Sequence, residues 1–173
     1  MKRSEIALPE YFDRYILLNE DVDVLEALKI SLEELQQIPL VKWKELKDRV
    51  YAPDKWTLKD ILQHIIDTER VFTYRALAFA RGEQEVKSYD ENEYAYLANA
   101  NNRSLEDLLE EALILRKSTL LLFSSFTHEM LEKTGMGFKG PYSVHSIGYI
   151  LGGHQRWHFK IIEERYLPLL QPS

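Results

Sequence analysis

A chain of 173 residues with 45% hydrophobic content can bury one sizeable core, and its formal net charge of -6, without a Lys/Arg stripe interleaved with aromatics, argues against binding to nucleic acid. The absence of cysteine excludes disulfides, thiolate catalysis and sulfur-rich zinc sites, which leaves imidazole, carboxylate and water as metal ligands. Met1-Lys2-Arg3-Ser4-Glu5 leads into no apolar signal core, and the greasiest stretch, Leu113 to Phe126, is broken by Arg116, Lys117 and Ser118, so a cytoplasmic protein without a membrane span is expected.

Four long segments carry a helical period and none shows sustained alternation, so the expected fold is all-α, a single domain over residues 1–173. Pro9 to Leu18 predicts a short turn packed by Tyr11, Phe12 and Tyr15. The first long helix should begin near Asp21, bury Leu25, Leu28, Leu32, Leu35 and Ile38, and stop before Pro39. The second opens at Thr57, whose hydroxyl caps with support from Asp60, and runs to about Arg81 before Gly82. A tyrosine-rich connection from Gly82 to Arg103 is longer than a bundle needs. It predicts a short helix from Glu91 to Ala100 capped by Asp90, and either a site wall built from Tyr89, Asp90, Tyr94 and Tyr96 or a plain crossover. The third helix starts at Ser104 with Asp107 completing the cap, extends to about Phe126, and reads as purely structural. A turn rich in glycine (Gly135, Gly137, Gly140) then leads to a fourth helix from about Ser143 to Leu167, ended by Pro168. Helices of about 30 Å suit a four-helix bundle.

The chemistry concentrates in Gly153-His154-Gln155-Arg156-Trp157-His158. Four residues advance a helix by slightly more than one turn, so the rings of His154 and His158 project from one face, on the stripe Ile147, Ile150, Leu151, His154, His158, Ile161. His64 lies on the apolar stripe Ile61, His64, Ile65, Thr68, Phe72 of the second helix. Three inward imidazoles on facing helices can hold zinc, nickel or iron and leave one coordination position open. The competing reading is a set of core histidines satisfied by hydrogen bonds. His145, nine positions before His154, faces the opposite side and reads as a surface or cap residue; His128 reads as a solvated turn residue.

Asp67, one turn after His64, is the expected catalytic or ligand-orienting carboxylate, against the alternative of an exposed partner for Arg70; Glu69 and Asp90 are weaker candidates. Zinc proteases place a glutamate directly after the first histidine of such a pair, and Gln155 stands there, so proteolysis is not expected. Gly148, Gly152 and Gly153 inside the fourth helix cost roughly 0.5 to 1 kcal/mol each relative to alanine, which predicts close approach of another helix from this chain or a second copy, or a local helix distortion. Trp157 is expected to pack sideways, in the core or at a subunit contact.

The stretch Tyr51-Ala52-Pro53-Asp54-Lys55-Trp56-Thr57 through Gln63-His64-Ile65-Ile66-Asp67-Thr68-Glu69-Arg70 resembles the DinB/YfiT-like superfamily, as do Arg14-Tyr15-Ile16, Arg103-Ser104-Leu105-Glu106-Asp107-Leu108 and the tail from Gly153 to Leu167. The resemblance implies an up-down-down-up four-helix bundle, often dimeric, with a divalent metal on three histidines that map onto His64, His154 and His158. It also implies either hydrolysis or thiol-dependent transfer or isomerisation, although many relatives have no established activity. Close relatives often carry glutamate and histidine where this chain has Gln155 and Trp157. The reading is therefore a metal-dependent enzyme, with Zn²⁺ or Ni²⁺, acting on a small molecule by hydrolysis or with a low-molecular-weight thiol as cosubstrate, in a homodimer. Its rival is a non-catalytic dimeric bundle with a structural or vestigial metal site.

Overall fold

The computed structural model describes residues 1–137 and 139–171; the last two residues of the expected 1–173 domain lie outside that range. The helices in chain order are α1 (Asp13–Ile16), α2 (Val24–Gln36), α3 (Leu40–Lys44), α4 (Leu58–Ala80), α5 (Glu91–Ala98), α6 (Leu105–Ser124), α7 (His128–Glu132) and α8 (Val144–Ile161), with strands β1 (Thr134–Gly137) and β2 (Gly140–Ser143) between α7 and α8. The long helices begin on side-chain caps. Asp23 accepts from the Glu26 amide, Thr57 and Asp60 form a reciprocal capping box, and Ser104 and Ser143 accept from Asp107 and Ser146. α4 ends at Arg81 ahead of Gly82, whose φ of +100° suits glycine alone.

The glycine-rich turn is a correction to the sequence reading. It forms an antiparallel hairpin in which Thr134 pairs with Ser143 and Gly137 with Gly140. Strands of four residues are too short to show alternation, and glycine is forced where Phe79 and Tyr142 cover the backbone: a Cβ at Gly135 or Gly137 would lie 2.0 Å from the first ring or 1.8 Å from the second.

Contacts along the helices fix their directions. Gly148 of α8 meets Val24 of α2 and Gln155 meets Ser31, so these two run parallel. Gln63 of α4 meets Arg103, just ahead of α6, and Glu69 meets Arg116 further along α6, so these two also run parallel. Arg116 reaches Ser31, while Lys44, beyond the end of α2, reaches Glu106 near the start of α6, so α2 opposes α6; α4 and α8 oppose each other through His64 and His154. The order is up, down, down, up. Because α4 and α6 are parallel, the chain between them must climb the whole bundle, and this accounts for the long connection that carries α5.

Apolar burial falls into two clusters. One gathers Phe12, Leu28, Phe72, Phe79, Phe123 and Ile150, the other Leu35, Leu62, Ile66, Leu108, Ile162 and Tyr166. Between them every long helix contributes buried polar side chains: Ser31 from α2; His64, Thr68 and Glu69 from α4; Arg116 and Thr119 from α6; His154 and Gln155 from α8. This polar waist positions the site.

Candidate metal centre

α4 delivers His64 at 4% exposure and α8 delivers His154 at 6%, while His158, one turn on, is half-buried and forms the open side. Nε2 of His154 lies 3.0 Å from Nε2 of His64 and 3.1 Å from Nε2 of His158. A ligand nitrogen from each of the three rings lies within 4.8 Å of the others. Ligands at 2.0–2.1 Å from a tetrahedral ion sit about 3.3 Å apart, so the two pairs that share His154 already have nearly that spacing.

Hydrogen bonding alone fits these distances at only one contact of the two. Each Nε2 carries one in-plane hydrogen or one in-plane lone pair, so His154 Nε2 can satisfy one neighbour and not both. A cation facing three lone pairs satisfies all of them. Burial also keeps the rings neutral: it pushes His64 down to about 3, helped by the repulsion a protonated His158 would exert, and His158 down to about 4. His154 lies well below the usual imidazole range for the same reason, with further lowering from His158, His64 and Arg116. Neutral rings offer lone pairs at pH 7.

Aromatic side chains hold the rings. Trp56 lies with its ring 4.7 Å from that of His64 and stacks at 6.5 Å on His158, and its carbonyl accepts from the Tyr166 hydroxyl at 2.6 Å. Tyr166 closes a π-helical turn (Ile162–Tyr166) that continues α8. Tyr15 of α1 meets His154 edge-on at 5.3 Å and Trp157 at 5.8 Å, so Trp157 packs within its own chain with about a third of its surface exposed.

The three helix glycines mark close approach by this chain. A Cβ at Gly148 would lie 2.2 Å from Val24, at Gly152 2.8 Å from Asn19, and at Gly153 1.7 Å from the carbonyl oxygen of Tyr15.

Other expected residues fall differently. Asp67 is half-buried and accepts from the Gln63 amide at 2.9 Å; it makes no hydrogen bond to the three rings among the described residues. Its pKa is raised by burial, against the opposing pull of that hydrogen bond. Asp90 caps α5 through the Asn92 and Glu93 amides. Tyr89 bonds Thr68 at 2.9 Å, one turn from His64, and packs against Tyr94, whereas Tyr96 faces solvent. His128 is exposed beside Glu132, as a solvated residue should be. His145 corrects the sequence reading. It is 2% exposed, stacked on Tyr149, because α7 and the amino-terminal segment, with Met1 and Val22 bonded to the Tyr149 hydroxyl, cover the side of α8 that faces away from the other rings.

α6 carries buried polar groups among its apolar ones, in a structural role. Arg116, fully buried, makes two 2.9 Å bonds to the carboxylate of Glu69, and Thr119 donates to the same group at 2.7 Å. Arg116 also bonds the Ser31 hydroxyl, and the Ser31 carbonyl accepts from Gln155 at 2.9 Å. Gln155, next to His154, is thus a fixed strut between α2 and α8, joined to the ion pair through Ser31.

The sequence profile of the DinB superfamily matches residues 22–162. The fold is similar to that of YfiT from Bacillus subtilis, described as a probable metal-dependent hydrolase with an unusual four-helix bundle topology. The two have 17% identity and a TM-score of 0.70 over 95% of this chain and 91% of that one. None of the curated proteins matches this chain. With its four long helices and three converging imidazoles inside the matched span, this chain belongs to the DinB superfamily.

Proposed function

We propose that the protein is a single-domain, metal-dependent enzyme that holds one divalent cation, Zn²⁺ or Ni²⁺, on His64, His154 and His158 and acts on a small molecule by hydrolysis or thiol-dependent transfer. The observation that carries the reading is the convergence of three imidazoles on His154 Nε2, with contacts at 3.0 and 3.1 Å of which hydrogen bonding between neutral rings satisfies one and not both. When bound, such a cation supplies Lewis acidity and brings the pKa of a water or thiol it binds toward neutrality.

The chain's own residues supply the rest. Trp56 and Tyr15 fix the ring planes and keep water from the buried side. Asp67, raised in pKa by burial and one turn from His64, would serve at its carboxylate oxygen as the proton acceptor for a nucleophile held by the three imidazoles' cation. Without cysteine, the protein supplies no nucleophilic sulfur, so the thiol reaction needs a low-molecular-weight thiol as cosubstrate. The likeness to YfiT, itself described as a probable metal-dependent hydrolase, supports the hydrolytic branch. No helix of the described residues is long and apolar enough to cross a membrane, in line with a cytoplasmic enzyme. The exposed Tyr74, Leu77, Ile114 and Leu121 on α4 and α6 are the apolar surface on which a homodimer would close.

A turnover screen of metal-loaded protein on ester, amide and electrophilic substrates, with and without added thiols, tests the reading. Turnover that is lost in His154→Ala supports it, and dependence on thiol selects transfer over hydrolysis. No turnover by a fully loaded protein gives the function to a structural metal site.

A further inference from the structure

Arg75 is 6% exposed, yet the only hydrogen bond it makes among the described residues runs from one terminal nitrogen to the Tyr142 hydroxyl at 3.1 Å. Its Nε is buried without a partner, and the flanking groups are the rings of Phe72 at 4.9 Å and Tyr89 at 5.9 Å. A guanidinium has five N–H donors, and burying its charge without an anion is costly. Arg116, the other deeply buried arginine, has its carboxylate; Arg75 faces a cavity of about 600 Å³ instead. Tyr11, Phe12, Phe72, Val86 and Tyr89 give that cavity an apolar, largely aromatic wall, while the exposed Glu85, Asp90 and Glu91 stand at its mouth.

We infer that this cavity is a binding site for a small organic carboxylate, whose anionic group pairs with Arg75 on the floor and whose apolar, planar body lies against Phe12, Phe72 and Tyr89. The acidic mouth repels a second negative charge, so a monocarboxylate with a neutral or cationic outer end is favoured over a dianionic phosphate ester. Charge complementarity chooses the occupant: a buried lone guanidinium matches a carboxylate in two-pronged geometry. The site stands apart from the proposed metal chemistry but is placed to serve it. His64, Thr68, Phe72 and Arg75 form one stripe of α4, and eleven residues of helix put Arg75 about 16 Å from His64. The Tyr89 hydroxyl reaches back to Thr68, one turn from that histidine.

Isothermal titration of the full chain with 3-phenylpropionate, 3-phenylpropionamide and phenyl phosphate tests the inference by binding alone. The carboxylate should bind at least tenfold more tightly than its amide and more tightly than phenyl phosphate, and Arg75→Gln should reduce the first preference below threefold. His154→Ala should leave the preference intact, so loss of the metal site and loss of this site are separable. Val86→Trp, which fills the cavity and keeps Arg75, should abolish binding of both neutral and anionic probes even if Arg75→Gln folds poorly. Equal binding of carboxylate and amide by the unaltered protein, no binding at millimolar concentration, tighter binding of phenyl phosphate, or unchanged binding by Val86→Trp overturns it.

Discussion

Glu69 and Arg116 form a two-pronged ion pair at 2.9 Å in the polar waist of the bundle, with side-chain exposures of 3% and 0%. The pair ties α4 to α6, and through Ser31 it meets Gln155, the neighbour of His154. Arg116→Met leaves a buried carboxylate without its cation, held by the Thr119 hydroxyl alone, and should lower unfolding free energy by about 3–5 kcal/mol in urea titrations. The double change Glu69→Leu, Arg116→Met removes both charges and should recover most of that loss. Equal destabilisation by the single and double variants would show that the pair does not act as a unit.

Gly153→Ala tests the seat of α1 on α8. Its Cβ would sit 1.7 Å from the Tyr15 carbonyl oxygen, so α1 must retreat from the ring it packs against. Overpacking of this kind typically costs about 1–3 kcal/mol. Metal affinity should fall at least tenfold although every ligand remains, as read by competition with a chromogenic chelator; unchanged affinity would separate α1 from ligand placement.

The metal-free protein should lose stability as pH falls from 6.5 toward 4. Unfolded imidazoles take up protons near pH 6.5, whereas burial holds His64 at about 3 and His158 and His145 at about 4, so the unfolded chain binds more protons across that window. Stability therefore rises with pH there, by up to about 1.4 kcal/mol per pH unit for each ring. Melting temperatures of apo-protein at pH 7, 6 and 5 read the slope, and a flat profile would mean that the rings are hydrated.

Asp67→Asn should leave metal content and melting temperature nearly unchanged while lowering kcat by about 10²–10⁴, the usual range for losing a proton acceptor. A change confined to KM would make Asp67 a binding residue.

Much of this architecture was legible in the sequence because its signals are local. Thr57 with Asp60, Ser104, Ser143 and Asp90 all cap where expected, and the i, i+4 spacing of His154 and His158 set both rings on one face toward His64. The misses are long-range. A helical period shows that His145 faces away from His154, but not that α7 and the amino-terminal segment cover that side. Arg116 interrupting an apolar helix was visible; its partner Glu69 lies 47 residues away and is revealed only by the parallel pairing of α4 and α6. Trp56 and Tyr15 were visible as aromatics, and only the fold brings them against the rings.

The most direct test of the metal centre is elemental analysis with X-ray absorption spectroscopy on protein purified without a histidine tag. One equivalent of a divalent metal is expected, with three imidazole nitrogens at about 2.0–2.1 Å and a lighter ligand in the remaining position, and none in His154→Ala. Protein that takes up no metal, or that retains a full equivalent after His154→Ala, would contradict the account.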